Sequence, residues 1–179
     1  RSFNRKAAAD FLAGYVAGTI KEAFLSDAIP ETHQNPGPFF MLVGDTFESF
    51  VDTSDDVLVY IVQAECWACH QLFPTVHSVV ELLSDFAPRM KFASIDNRAN
   101  DILVRPWDNV DATPAILFLP GGGGPEDVIK IDYKISADAK GEDRAILSAK
   151  AMAQVIVDAA THPFTDREGL DEELTAMAH

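Results

Sequence analysis

Apolar residues recur at helical spacing over residues 3–25. Phe11, Leu12, Tyr15, Val16, Ile20, Ala23 and Phe24 share one face, with Asp10, Lys21 and Glu22 outside it. The spacing predicts an amphipathic helix. Residues 26–38 break the pattern with Pro30, Asn35, Pro36, Gly37 and Pro38 and read as a linker. An amphipathic helix standing alone has nothing of its own to bury against, so it must dock on the main domain or belong to a preceding one.

From residue 39 the pattern alternates between strand and helix. Residues 39–43 predict a short apolar strand and 45–51 a short helix. Residues 56–62 form a nearly continuous apolar run, as in a central parallel strand. Residues 66–85 carry Leu72, Phe73, Val76, Val79, Val80 and Leu83 at helical spacing, with Pro74 inside the helix as an expected kink. A strand over 90–95 and a short helix over 98–104 follow. A strong strand at 115–119, a turn at 121–124 and a hairpin partner at 128–133 come next. An amphipathic helix over 142–160 closes the pattern, and 161–179 reads as a polar, acidic tail with a solvated surface, partly helical or frayed. The order from residue 39 is βαβαβαββα. Its first three strands need crossover connections and so favour parallel pairing, while the hairpin adds an antiparallel edge.

The whole chain has 179 residues, enough for one domain with flanking pieces and a sizeable core. Its 14 basic and 28 acidic residues give a net charge of −14. Such a surface repels nucleic acid and anionic membranes. No apolar run approaches the roughly 18 residues of a membrane span. The chain opens Arg1-Ser2-Phe3, with neither an initiator Met nor a signal peptide, so a processed form or an excised piece is expected.

Chemistry concentrates in Cys66-Trp67-Ala68-Cys69, which holds both cysteines of the chain. The pair follows a strand-like run and opens a helical one. There, unpaired backbone N–H groups and the helix dipole favour a thiolate on Cys66. Two thiols at this spacing pass between dithiol and disulfide without rearranging a fold. A purely structural disulfide is the bland alternative, but so short a loop staples little. With His70 the motif is also a literal C-x-x-C-H, the signature of covalent haem; haem-c domains are mostly helical, and this motif follows a buried strand. Zinc would need two further ligands, and His33, His77, His162 and His179 show no paired spacing, so no metal site is assigned. The glycines at 121–124 lack a following Lys-Ser/Thr and read as a hairpin turn between Pro120 and Pro125. Trp107 and Phe118 read as packing residues. Trp67, between the cysteines, should be partly exposed.

This order of elements, with CxxC between the second strand and a Pro-containing helix, resembles the thioredoxin fold, an α/β architecture with a mixed central sheet flanked by helices. It is similar more narrowly to the protein disulfide isomerases. Ser26-Asp27-Ala28-Ile29-Pro30-Glu31, Leu42-Val43-Gly44-Asp45-Thr46-Phe47 and Asp56-Val57-Leu58-Val59 resemble the passage from a non-catalytic domain into the last catalytic domain of that family. The resemblance implies that residues 1–25 end a preceding thioredoxin-like domain, 26–38 link, 39–160 form the catalytic domain and 161–179 form a tail. It implies Cys66 as attacking and Cys69 as resolving cysteine, and Thr113-Pro114 as the family's cis-proline site. Trp67, Thr113 and Pro114 would contact an extended substrate. X-Pro is the bond at which a cis form is cheap.

Several positions depart from the family pattern. The Glu that serves the second cysteine as proton acceptor corresponds to Tyr60, its Lys partner to Ser94, and a mobile Arg near the cis-proline to Asp111. Glu65 stands where a Trp precedes the first cysteine, and Trp67-Ala68 replaces Gly-His. Glu65 opposes ionisation of Cys66, and Cys69 without its base should resolve slowly. The chain should therefore be a weaker oxidant than an isomerase poised near roughly −180 mV. His70 is the residue that could compensate. The implied function is a disulfide isomerase or oxidoreductase of the endoplasmic reticulum lumen that needs no cofactor and acts on unfolded cysteine-containing proteins. The alternative is a thioredoxin-fold chaperone or adaptor of attenuated redox activity. Residues 175–179 are not a Lys-Asp-Glu-Leu type signal, so retention would need further sequence or another route.

Overall fold

A computed structural model describes residues 4–20, 24–32, 38–108, 110–133 and 148–177. Its centre is strand β2 (Asp56–Val62), whose apolar run is buried along nearly its whole length. Because both faces of β2 are covered, every position is apolar after the first. Around it lie β1 (Phe40–Leu42), β3 (Met90–Asp96), β4 (Ala115–Leu119) and β5 (Ile129–Lys130), in the order β1-β3-β2-β4-β5. β1, β3 and β2 run parallel, and β4 and β5 are antiparallel to their neighbours. The mixed sheet anticipated from the sequence is the one observed.

Helices cover both faces. One core layer joins Leu58 and Tyr60 to α3 (Trp67–Phe86) through Leu72, Val76, Val79, Val80 and Leu83, and to α4 (Ala149–Ala159) through Met152, Ala153 and Ile156. The other layer sets Val57, Val59 and Ile61 against Phe47 and Val51 of α2 (Gly44–Val51) and against Trp107. Trp107 meets Phe47 edge-on, and Phe118 is fully buried, so both are packing residues as expected.

Several elements differ from expectation. The N-terminal helix, α1, spans Arg5–Val16 rather than 3–25. Gly18 adopts φ of 65°, and the amides of Gly18 and Thr19 turn back onto the carbonyls of Tyr15 and Gly14, which ends the helix. No described residue of α1 is buried, and Phe11, Leu12, Tyr15 and Val16 are all exposed. Residues 21–23 of the expected helix lie outside the described residues, as do 142–147 of the closing one.

No helix forms over 98–104. Instead Asp96 accepts the amide of Arg98, and Asn100 donates to the Asp96 carbonyl, so side chains take the backbone partners a helix would have used. The hairpin partner is also shorter than anticipated, although Ile131 N–H still pairs with the Ile116 carbonyl.

The segment at 26–38 is more than a linker where it is described. The amides of Asp27 and Gly44 both donate to Asn100 Oδ1, and Leu25 exchanges two hydrogen bonds with Asp101. A Cβ on Gly44 would lie 2.6 Å from the Leu25 carbonyl oxygen, so glycine permits this close approach.

The helical part expected in the tail at 161–179 forms, but its inner face is buried and not solvated. Asp166 caps α5 (Arg167–Ala176), and Leu170 and Leu174, one turn apart, are buried against α3 and α4. A charged outer face with two leucines inward is an amphipathic helix. Ahead of it, buried Asp56 accepts the amides of Gly121, Thr161 and His162 and contacts His162 Nδ1, tying the start of β2 to the glycine turn and to the approach to α5.

Candidate active site

β2 ends at Val62, and a short turn delivers Cys66 to the N-cap of α3. Cys66 N–H donates to the Gln63 carbonyl, and His70 N–H to the Cys66 carbonyl, so the turn feeds directly into the helix. The amide of Cys69 donates to Cys66 Sγ at 3.0 Å. The two sulfurs form a disulfide with Cα atoms 5.2 Å apart. Cys66 is half-buried, whereas Cys69 is 3% exposed. Once reduced, the Cys66 sulfur would sit at the positive end of a 20-residue helix with an amide aimed at it. Both features favour thiolate. The second sulfur lies behind the first, out of reach of a large molecule.

Tyr60 occupies the space beneath Cys69. It pairs in register with Ser94 on one side and Ile116 on the other. Its hydroxyl donates to the Cys69 carbonyl at 2.8 Å. Burial, reinforced by nearby Tyr133, pushes the Tyr60 phenol well above its usual range. It therefore stays protonated at neutral pH and cannot take a proton from Cys69. The position where the resembled family keeps a base holds a neutral donor.

The Thr113–Pro114 peptide is cis, as the resemblance implied. The next residue, Ala115, pairs with Ile61 antiparallel, so Pro114 lies at the end of the sheet that also carries the cysteines. The Pro114 carbonyl accepts from the Tyr133 hydroxyl. Thr113 is half-buried and Asp111 exposed. Trp67 is 53% exposed at the first position of α3. The five residues singled out from the sequence thus converge on one end of the sheet.

His70 turns its Nε2 to the Ala64 carbonyl at 3.1 Å; a carbonyl only accepts, so Nε2 carries the proton. The β3-exit loop adds groups that the sequence reading missed. Asp96 accepts the Ala64 amide, Gln63 donates to Asn97, and Arg98 pairs with Glu65 at 2.8 Å. The available signal is Asp96-Asn97-Arg98 itself, since Asp and Asn favour turns and Arg98 offers charge opposite Glu65.

The family model for thioredoxin matches residues 38–137, more than half of the chain. The chain belongs to the thioredoxin family. Its curated relatives include protein disulfide isomerases. It is 35% identical over 114 residues to protein disulfide-isomerase of Arthroderma benhamiae, covering 62% of this chain and 21% of that protein. It is 34% identical over 118 residues to protein disulfide-isomerase A3 of Gallus gallus, covering 65% and 22% respectively. The chain thus spans about a fifth of the length of these curated relatives. The solution structure of the first thioredoxin domain of mouse protein disulfide-isomerase A4 superimposes with a TM-score of 0.52 at 18% identity, over 79% of this chain and 91% of that one. That likeness shows the thioredoxin fold. Among the described residues, no helix is long and apolar enough to cross a membrane.

Proposed function

We propose that this chain catalyses thiol–disulfide exchange on folding proteins, as a protein disulfide isomerase of the endoplasmic reticulum lumen. The observation that carries this reading is the asymmetry of the pair: Cys66 is only half-buried at a helix N-cap, and Cys69 is buried behind it. The Cys66 thiolate attacks one sulfur of a substrate disulfide. A mixed disulfide forms, and the other substrate sulfur leaves as a thiolate. Cys69, once deprotonated, attacks Cys66 Sγ, restores the Cys66–Cys69 disulfide and releases the reduced substrate. Run backwards, the same steps donate a disulfide. No bound cofactor takes part, but each net reduction or oxidation leaves the pair in the opposite redox state, and an external thiol or disulfide restores it.

Trp67 and the Thr113-Pro114 turn are the proposed substrate contacts. An exposed indole beside the nucleophile suits apolar stretches of unfolded chain. We assign α1 to the end of a preceding thioredoxin-like domain, supported by its uncovered apolar face and by the likeness of residues 26–31 to the family's interdomain passage.

Insulin reduction and reactivation of scrambled ribonuclease, with Cys66→Ser as control, test the assignment. Catalysis abolished by the substitution supports it. Equal low rates for both proteins favour a second reading, a redox-attenuated chaperone or adaptor. The observation behind that alternative is the protonated Tyr60 beneath Cys69, opposite Ser94.

A further inference from the structure

We propose that Arg98 is a positioning residue for the nucleophile: its guanidinium holds and neutralises Glu65, the residue before Cys66, and so keeps the Cys66 thiol ionisable. This inference rests on the exchange reading of the site above.

Glu65 places a carboxylate one residue from the sulfur that must become negative. Unopposed, it would raise the thiol's pKa by like-charge repulsion. Arg98 Nη1 meets Glu65 Oε2 at 2.8 Å. Isolated surface pairs of this kind are usually worth little, but here the two backbones that carry the charges are themselves laced together. The Asp96 carboxylate accepts the Ala64 amide on one oxygen and the Arg98 amide on the other. Asn97 N–H donates to the Val62 carbonyl, and Gln63 Nε2 donates to Asn97 Oδ1. Residues 62–64 and 96–98 thus form one platform, and the ion pair joins it to Glu65, the residue before Cys66. Both charged side chains are solvent-exposed, at 66% for Arg98 and 82% for Glu65. The pair therefore acts as a screened charge near the thiol, with no role in core packing.

Other ionisable groups face this end of the domain. His70 on α3 is turned to the Ala64 carbonyl, and Asp96 on β3 is committed to two amides. Tyr60 on β2 and Tyr133 beyond β5 are neutral phenols in neutral solution. Asp111 precedes the cis-proline at an exposed position. Among these, Arg98 is the side chain that carries positive charge to Glu65.

The test uses the full chain in a Cys69→Ser background, where Cys66 is the sole thiol. Alkylation by neutral iodoacetamide is followed across pH at low ionic strength. Arg98→Ala should move the Cys66 titration upward and slow alkylation at neutral pH by about two- to threefold, the size expected of one unit charge removed near a solvated thiolate. Glu65→Gln should move it downward by a similar factor. The double variant should return near the parent, and Arg98→Lys should retain most of the effect. All profiles should converge in about 1 M salt, where screening acts within roughly 3 Å. An Arg98→Ala profile superimposed on the parent at low salt would overturn the proposal, as would a shift that survives high salt. Insulin reduction by the unsubstituted chain is measured separately. Its absence alongside an intact charge effect would defeat the exchange reading and leave only the effect of Arg98 on Cys66 ionisation standing.

Discussion

The hydroxyl of Tyr60 donates to the backbone carbonyl of Cys69 at 2.8 Å, inside the core and directly beneath the redox pair. A phenol held there is a hydrogen-bond donor whose proton burial makes hard to remove. It supports the first turn of α3 mechanically and gives Cys69 no base. Tyr60→Glu combined with Ser94→Lys, a pair in direct register across β2 and β3, should supply one. Resolution of a mixed disulfide should quicken by about tenfold or more, within the range of a positioned acid–base group. Stability should fall by about 1–3 kcal/mol for burying the polar pair. Stopped-flow measurement of mixed-disulfide decay reads this directly, and unchanged decay in a folded variant would show that proton removal does not limit the step.

The same tyrosine ties stability to alkaline pH. Its folded pKa is raised above the unfolded value of about 10, first by burial and then by Tyr133, itself raised by burial. A group shifted in that sense contributes fully below the unfolded pKa and loses its contribution as pH climbs past about 10. Melting temperature should be flat near neutrality with respect to these phenols and fall above that point. Tyr60→Phe should begin about 1 kcal/mol less stable for the lost hydrogen bond and decline less steeply in alkali. Thermal unfolding followed from neutral to alkaline pH checks both features.

Exchange chemistry distinguishes the two sulfurs. Cys69→Ser should accumulate a covalent adduct with a disulfide-containing protein, because Cys66 still attacks and nothing resolves. Cys66→Ser should form none, since the remaining thiol is 3% exposed. Non-reducing electrophoresis separates these cases. Adducts of equal yield from both variants would mean that burial does not protect Cys69 in solution.

At the opposite end of β2, Asp56 should matter for folding and not for redox chemistry. Asp56→Ala leaves the amides of Gly121, Thr161 and His162 without their carboxylate. The cost should be about 1–3 kcal/mol, as three partly exposed amides lose a charged acceptor and can turn to water only in part. Urea denaturation measures the loss, while the alkylation rate of Cys66 should match the parent under native conditions.

Much of the architecture is legible in the amino-acid order. The apolar run of β2 and the bounds of β4 are read directly, because strands buried on both faces leave uninterrupted hydrophobic stretches. The CxxC is legible too, since it depends on residue type more than on distant contacts, whereas the cis Thr113-Pro114 peptide is implied by the family resemblance. Other features depend on partners far away in sequence. Asn100 and Asp101 replace a helix with a clamp because residues 25–27 return to meet them. The Glu65–Arg98 pair joins positions brought together only by the β2–β3 register. α5 hides behind its acidity: Leu170 and Leu174 have helical spacing, but five of its ten residues are charged and mask the two that face inward.

The packing of α4 and α5 sets where this domain can be cut. The stretch matching the thioredoxin family ends at residue 137, yet Met152, Ile156, Leu170 and Leu174 complete the layer over Leu58 and Tyr60. A protein trimmed to the family boundary would leave that greasy face wet and invite aggregation. An expression clone reaching Met177 keeps it covered, and makes the last seventeen described residues a requirement for solubility and not an optional appendage.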